Sequence, residues 1–77
     1  MSIHSEVEVR YTVTVRGTAH PFAGLERAAT FAAARTLEGE TDIAYSVVGF
    51  AEALRNQQEA ALIAKVEELL ALHGKTL

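Results

Sequence analysis

Residues 6–16 alternate between polar and apolar side chains without a single exception. The apolar positions of this segment are Val7, Val9, Tyr11, Val13 and Val15. A period of two residues predicts a β-strand with one buried face and one solvated face. Because the backbone amides and carbonyls along a strand need partners, the rest of the chain or a second copy must supply a neighbouring strand.

Two further segments have the composition of helices. The first, residues 22–38, is rich in alanine and follows a loop at 17–21 that contains Gly17 and Pro21. On a helical wheel one stripe is smooth enough for close packing on a sheet, and Phe31 projects away from it. The stripe consists of Leu25, Ala29, Ala32 and Thr36, flanked by Phe22, Ala28 and Ala33.

The second helix, residues 51–73, is predicted from a broad apolar stripe followed by a terminating glycine. The stripe consists of Leu62, Ile63, Val66, Leu69, Leu70 and His73. Such a helix is about 34 Å long at roughly 1.5 Å per residue, more than a two-stranded sheet covers. We therefore expect part of the stripe to form a dimer interface. The residues assigned to that interface are Leu62, Val66, Leu69 and Leu70.

Residues 41–50 fit two different structures. Most of them are β-branched or aromatic, which favours a strand with apolar side chains on both faces, as in the middle of a sheet. The spacing of Ile43, Val47 and Phe50 also fits a helical stripe. We favour the strand, because the first strand needs a neighbour.

Together these elements predict a small α+β domain over residues 1–77, in the order strand–helix–strand–helix. A helix between the two strands implies a parallel pair with a right-handed crossover. Because two strands alone do not make a stable sheet, we expect a homodimer that pairs edge strands into a sheet of four, with helices on one face.

Composition narrows the class of protein. The chain has 77 residues and no cysteine, so an intracellular location without disulfides or thiolate metal sites is expected. No leader pattern and no bilayer-length apolar run is present, which predicts a soluble cytoplasmic protein. The apolar share of 49% is high for a chain this small and also favours a partner surface.

The net charge of −3 and the isoelectric point near 5.5 argue against nucleic-acid binding. Proteins that bind nucleic acids usually carry a basic stripe that contacts several phosphates. The seven basic residues of this chain are instead scattered among acidic ones. Nucleic acid is therefore not the expected partner.

No combination of side chains indicates catalysis or a cofactor. His4, His20 and His73 lack the short spacing of metal ligands. Ser46 is not part of a nucleophile elbow, and the glycines are isolated rather than grouped in a phosphate-binding loop. We therefore predict no catalytic, cofactor-binding or metal-binding residue.

Two surface features indicate binding to another protein. One is the polar side of the first strand, where charges of both signs form a ridge. The other is an off-stripe phenylalanine flanked by arginines, a composition typical of interface anchors. The predicted partner-binding residues are Glu6, Glu8, Arg10, Arg16, Arg27, Phe31 and Arg35.

The main hypothesis is a non-enzymatic interaction protein that occupies a surface of a larger protein and so blocks or modulates it. Less than half of the chain has a layout that can be compared with other proteins. It consists of an alanine-rich helix preceded by Val13, Val15, Gly17, His20, Phe22, Leu25 and Glu26. This layout resembles that of small accessory proteins of phages and mobile elements. The resemblance is one of layout and names no activity. An inhibitor of the anti-CRISPR type is one concrete version of the main hypothesis.

Two other classes are left open by the sequence. A ribbon-helix-helix repressor would pair the first strand across a dimer and insert its polar side into the major groove of DNA, which requires residues 41–50 to be helical. A small enzyme with its active site at a dimer seam would use Tyr45 or His20 as its reactive group.

Overall fold

The computed structural model describes residues 9–49 and 51–75, which form a three-stranded sheet and two helices. In chain order the elements are β1 (Arg10–Val15), β2 (Thr18–Phe22), α1 (Leu25–Leu37), β3 (Ile43–Val48) and α2 (Glu52–Ala71). The strand order in the sheet is β2-β1-β3, and both strand pairs are antiparallel. The predicted α+β class is confirmed, with β2 as an additional strand.

The segment predicted as a loop, 17–21, contains most of β2, which corrects the predicted element order. β1 and β2 form a hairpin whose two-residue turn consists of Arg16 and Gly17, with φ angles of 54° and 82°. Two positive φ angles are typical of a type I′ turn, whose twist matches that of paired strands. Pro21 concealed the strand in the sequence, because proline within a sheet is confined to edges and strand ends.

The predicted parallel pairing of strands is wrong. β3 runs antiparallel to β1, with Val13 opposite Tyr45 and Val15 opposite Ile43. The hairpin reverses the chain before α1 begins, so the helix connects β2 to β3, which are parallel to each other but separated by β1. The connection therefore passes over a central strand instead of joining two neighbours.

Residues 41–50 contain a strand, as their composition favoured, and the helical alternative is wrong. β3 occupies Ile43–Val48, while Phe50 lies outside the described residues. Within residues 9–49 and 51–75, β3 is an edge strand rather than a central one, and Val48 is 50% exposed. β1 is instead paired on both sides within the chain, which removes the free edge that a ribbon-helix-helix dimer requires.

The alternation of the first strand sets the two faces of the sheet. Tyr11, Val13 and Val15 are at most 9% exposed and face the helices, whereas Thr12 and Thr14 are only half-buried on the other face. The predicted strand began at residue 6, and residues 6–8 lie outside the described part of the chain. The alternation is confirmed from Arg10 onward.

The core lies between the sheet and the two helices. α1 contributes buried alanines, whose small side chains let the helix approach the sheet closely, and α2 contributes larger side chains. The buried residues are Tyr11, Val13, Val15, Ala28, Ala29, Ala32, Ala33, Val47, Leu62, Val66 and Leu70. The Tyr11 hydroxyl donates to Gln58 Oε1 at 3.1 Å and links β1 to α2. Both predicted helices are confirmed, with somewhat shorter ends.

The residues assigned to a dimer interface lie within the core of the single chain. Leu62, Val66 and Leu70 have no exposed surface, and Leu69 is half-buried against the same core. These side chains are already packed, so a surface offered by α2 to a second copy would have to use others, such as Leu54, which is 49% exposed. Homodimerisation stays a prediction.

Candidate functional site

Three of the predicted partner-binding residues lie in one column on α1. Arg27, Phe31 and Arg35 are spaced four residues apart, and side chains at this spacing lie above one another on a helix. The column is on the side of α1 next to β2, because Phe31 contacts two rings of that strand. The structure therefore places the three residues on one surface, as their spacing in the sequence indicated, and β2 lies beside them.

β2 supplies two aromatic rings to this column. His20 and Phe22 alternate along the strand, opposite Val13 and Tyr11, so both side chains face the helices. The ring centroid of Phe31 is 4.7 Å from that of His20 and 5.3 Å from that of Phe22, and both pairs are tilted by 43°. Distances and tilts of this kind are favourable for aromatic contacts.

We call this surface the arginine–aromatic face. It consists of His20, Phe22, Arg27, Phe31 and Arg35. Phe31 does not project freely into solvent as the helical wheel predicts, because it is half-buried and packs against the core. Sequence reasoning missed His20 and Phe22 as part of this site, although their alternation with Thr18 was a usable signal for the strand that carries them.

The two arginines of the face use their charge differently. The Arg35 guanidinium lies 5.3 Å from the Phe31 ring centroid, within the range of a cation–π contact, and also bonds the Glu38 carboxylate. The buried Nε of Arg35 has no hydrogen-bond partner among the described residues. Arg27 is exposed, and no carboxylate of residues 9–49 and 51–75 pairs with it. Arg27 is therefore the more available charge.

A shallow open depression lies along the N-terminal half of α1. It has a volume of about 510 Å³ and is lined by Phe22, Glu26, Arg27, Thr30 and Phe31. Two rings supply its apolar surface, and Arg27 and Glu26 supply its charges. An apolar side chain of a partner fits against the rings, and a neighbouring carboxylate can bond the Arg27 guanidinium.

Of the charged ridge predicted on the first strand, the structure describes only Arg10 and Arg16, so the ridge as a whole stays a prediction. Glu6 and Glu8 lie outside the described residues. Arg10 begins β1, whereas Arg16 lies in the hairpin turn about 20 Å away, at roughly 3.3 Å per residue, and its Nε pairs with Glu40 at 3.0 Å. The sheet face between the two arginines carries small uncharged side chains. These are Thr12, Thr14, Ala19, Pro21, Ala44 and Ser46.

A second cavity lies at the start of β3. Its volume is about 340 Å³, and its lining comes from the end of α1, the α1–β3 loop, β3 and the segment after α2. The lining residues are Thr36, Gly39, Glu40, Thr41, Ile43, Tyr45 and Lys75. Burial, and secondly the nearby Glu67 carboxylate, raise the pKa of the Tyr45 hydroxyl. The Lys75 ammonium donates to the Thr36 carbonyl at 3.4 Å.

His20 and Tyr45, the two residues weighed as reactive groups, do not form one site. They lie opposite Val13 on its two sides, so their Cα atoms are two strand spacings, or about 10 Å, apart. Over residues 9–49 and 51–75, no three histidine, aspartate or glutamate side chains converge as metal ligands do. Neither helix of this part of the chain is both long and apolar enough to cross a membrane.

No protein-family model matches the chain, and neither the curated proteins nor the solved structures contain a significant match to it. The arrangement of side chains is therefore the basis on which a function can be argued. The arginine–aromatic face offers rings and an available cation, and the β3 cavity lies among carboxylates. The two surfaces differ in chemistry and lie at opposite edges of the sheet.

Proposed function

We propose that this chain is a small, non-enzymatic interaction module that binds a larger protein through the arginine–aromatic face and blocks or modulates it. The observation that carries the proposal is the column of Arg27, Phe31 and Arg35 on one helix, supported by rings from β2. Arginine and aromatic residues are enriched where truncation costs most binding energy in protein interfaces.

The rings of the face are held in place before a partner binds. Phe31 is in contact with His20, Phe22 and the Arg35 guanidinium, so its side chain has little rotameric freedom to lose on binding. Immobilising a flexible side chain at an interface costs about 0.5–1.5 kcal/mol, and a pre-packed ring avoids most of that cost. A preorganised anchor of this kind favours specific binding by a small protein.

The charges of the face favour an acidic segment on the partner. Arg27 and Arg35 are about 12 Å apart along the helix axis, with Phe31 halfway between them. A partner segment with an apolar residue between carboxylates matches this order. Because the Arg35 guanidinium already pairs with the Glu38 carboxylate, a carboxylate of the partner binds more favourably at Arg27.

Blocking a larger protein requires occupancy of its surface and no covalent step. The face combines a depression of about 510 Å³, which the Arg27 guanidinium lines, with the Arg35 guanidinium further along α1. This is enough to seat one apolar side chain and orient an acidic segment. Occupancy alone then explains modulation of the partner, since a segment held on this face is unavailable to its own ligand.

The test is capture of the partner from lysate of the source cells, followed by cross-linking and mass spectrometry. Reversal of the available charge, Arg27→Glu, is expected to abolish capture of the protein that the natural chain retains. The matched control is Arg55→Glu on α2, which makes the same charge change away from the face.

Cross-links are expected between α1 or β2 and an acidic segment of the captured protein. Retention by Arg27→Glu at the natural level would contradict the proposal, and so would cross-links confined to the sheet face of β1 or to α2. Circular dichroism of both variants checks that the charge reversals leave the fold intact at the exposed Arg27 and at the half-buried Arg55.

A further inference from the structure

The β3 edge of the sheet has a row of backbone groups that point away from β1. The Arg16 amide donates to the Asp42 carbonyl at 3.0 Å, so this pair belongs to the bonded positions of the antiparallel ladder. Bonded and non-bonded pairs alternate, so Ala44, Ser46 and Val48 also direct their backbone groups toward β1. The amides and carbonyls of the residues between them point outward. Those residues are Ile43, Tyr45 and Val47.

This edge lacks the features that usually prevent strand addition. β3 contains neither proline nor a charged residue over its six positions, and in the described part of the chain no further strand lies beyond it. Natural sheets protect an exposed edge with proline, lysine, bulges or a covering element. Val47 is only 2% exposed, so its outward groups are covered, whereas Ile43 and Tyr45 are half-buried. The uncharged first half of β3 is therefore a template for one more strand.

The cavity of about 340 Å³ lies directly beside this edge. Ile43 and Tyr45 line it on the face of the sheet that carries the helices, so an added strand would direct alternate side chains toward it. Its size is at the lower limit of small-molecule sites and suits one or two large side chains. Backbone bonds along the edge would supply affinity, and the cavity would select the side chain.

Carboxylates surround the edge. Asp42 precedes β3, and Glu67 of α2 is close enough to Tyr45 to act on its hydroxyl. Neither carboxylate forms an ion pair with residues 9–49 and 51–75. Two cations are also close to the cavity. The Lys75 ammonium lines it and keeps its charge while it donates to the Thr36 carbonyl, and the Arg16 guanidinium pairs with Glu40 of the lining. Because three carboxylates, those of Glu40, Asp42 and Glu67, stand against two cations, the surroundings of the edge carry a small excess of negative charge.

We infer that the β3 edge is a strand-addition site for an extended basic segment of a partner protein, which places one apolar side chain in the cavity beside Ile43 and Tyr45. This site is separate from the arginine–aromatic face and has the opposite charge preference. The inference does not depend on the proposed function, because it rests on different residues at the other edge of the sheet.

A second copy of the chain is a poorer occupant of the same edge. Antiparallel pairing of β3 with its own copy about a two-fold axis near Tyr45 would bring the two Glu67 carboxylates toward each other. Like charges facing each other across a pairing are unfavourable, whereas lysine or arginine side chains from a basic segment would satisfy them. The acidic surroundings therefore favour a different chain.

The experiment uses a phage-displayed library of random decapeptides against the full chain, followed by titration of enriched synthetic peptides into isotopically labelled protein. Enriched peptides are expected to alternate apolar and polar residues and to contain lysine or arginine. Amide shift changes are expected to centre on Ile43 and Tyr45. Every second amide of an added strand would bond β3, so N-methylation at one set of alternate peptide positions is expected to abolish binding. N-methylation at the other set is expected to be tolerated.

Two neighbouring charge reversals provide the matched comparison. Glu67→Lys is expected to weaken binding of the basic peptides about fivefold, and Glu68→Lys, one residue further around α2, by less than twofold. Failure to enrich any peptide, shift changes centred on Arg27 or Phe31, or equal effects of the two reversals would overturn the inference. A dimer seen by light scattering, with the β3 amides protected from hydrogen exchange, would also overturn the inference. A second copy of the chain would then occupy the edge.

Discussion

The two edges of the sheet differ in whether they can accept another strand. The two-residue hairpin turn makes Val15 and Thr18 a bonded pair, so the outward positions of β2 are Ala19 and Pro21. Proline has no N–H, and this edge therefore lacks one of its two outward donors. The β3 edge has no such interruption in its six residues. Pro21 therefore disfavours strand addition at the β2 edge, whereas no proline interrupts the β3 edge.

The chemical surroundings of the edges differ in the same direction. β2 is flanked by the rings and guanidiniums of the arginine–aromatic face, and β3 by unpaired carboxylates such as Glu67. A basic edge and an acidic edge on one sheet would favour head-to-tail stacking of copies, which forms rings where the rotation closes and open filaments where it does not. Pro21 opposes that outcome, because it prevents regular pairing at the basic edge.

The largest effect is expected from Val13→Asp, which disrupts both edges at once. Val13 is fully buried, opposite His20 on one side and Tyr45 on the other, so it holds both outer strands in register. An unpaired buried carboxylate costs several kcal/mol against a total stability of about 5–15 kcal/mol, and the chain is expected to unfold. Circular dichroism and urea titration measure the loss.

Thr12→Asp is the control for this substitution. Thr12 is the preceding residue on the face without helices, where a carboxylate remains solvated, and a loss below about 1 kcal/mol is expected. Equal destabilisation by the two variants would show that the two faces of β1 are assigned incorrectly.

The next effect comes from a proline placed at an inward position of β3. Ser46 directs its N–H toward β1, opposite Thr12, so Ser46→Pro removes a ladder bond and leaves a carbonyl of β1 unpaired. We expect a loss of about 2–3 kcal/mol, measured by urea titration. Ser46→Ala keeps the amide and is expected to change stability by less than about 0.5 kcal/mol. Similar behaviour of both variants would refute the assigned bonding pattern.

The alternation of β1, the positions of both helices and the strand character of residues 43–48 could be predicted from local sequence. β2 could not, because its five residues include Pro21 and its pairing depends on the turn at Arg16 and Gly17. Without β2 the connection to β3 looked like a simple parallel crossover. An error in one short strand therefore changed the direction of the sheet pairing as well as the strand count.

The candidate surfaces show the same limit. Arg27, Phe31 and Arg35 share one helix, so their spacing alone grouped them. The cavity at β3 was not predictable, because its lining comes from segments as far apart in sequence as Thr36 and Lys75. Contacts between distant segments depend on how the helices cross the sheet, and a periodic pattern does not contain that information.

A smaller effect on stability, with a clear effect on assembly, is expected from Pro21→Thr. The substitution restores an outward N–H on β2 and removes a rigid residue, which is expected to cost about 0.4–1 kcal/mol through the unfolded state. It also gives β2 a regular edge that the β3 edge of another copy can pair with. Light scattering at increasing concentration is expected to show self-association beyond that of the natural chain.

Ala19→Thr is the matched control for Pro21→Thr. Ala19 is the other outward position of β2, and the variant adds the same side chain to the same face while Pro21 remains. It is expected to scatter light as the natural chain does. If both variants self-associate equally, the added threonine on the sheet face is the cause, and Pro21 has no special role at this edge.

The smallest effect concerns the ionisation of Tyr45 beside the acidic edge. Burial and the Glu67 carboxylate raise the pKa of this hydroxyl above its ordinary value of about 10. Above that pH the unfolded chain loses the proton first, so the folded state binds more protons and its stability falls as pH rises toward the folded pKa.

In a Tyr11→Phe background, the ultraviolet absorbance of phenolate follows Tyr45 alone among the tyrosines. Glu67→Gln is expected to lower the midpoint while leaving it above the ordinary value, since burial remains, and Glu68→Gln to leave it unchanged. Equal midpoints in the two variants would show that the Glu67 carboxylate does not act on Tyr45. The difference in charge between the β2 and β3 edges would then lose its support.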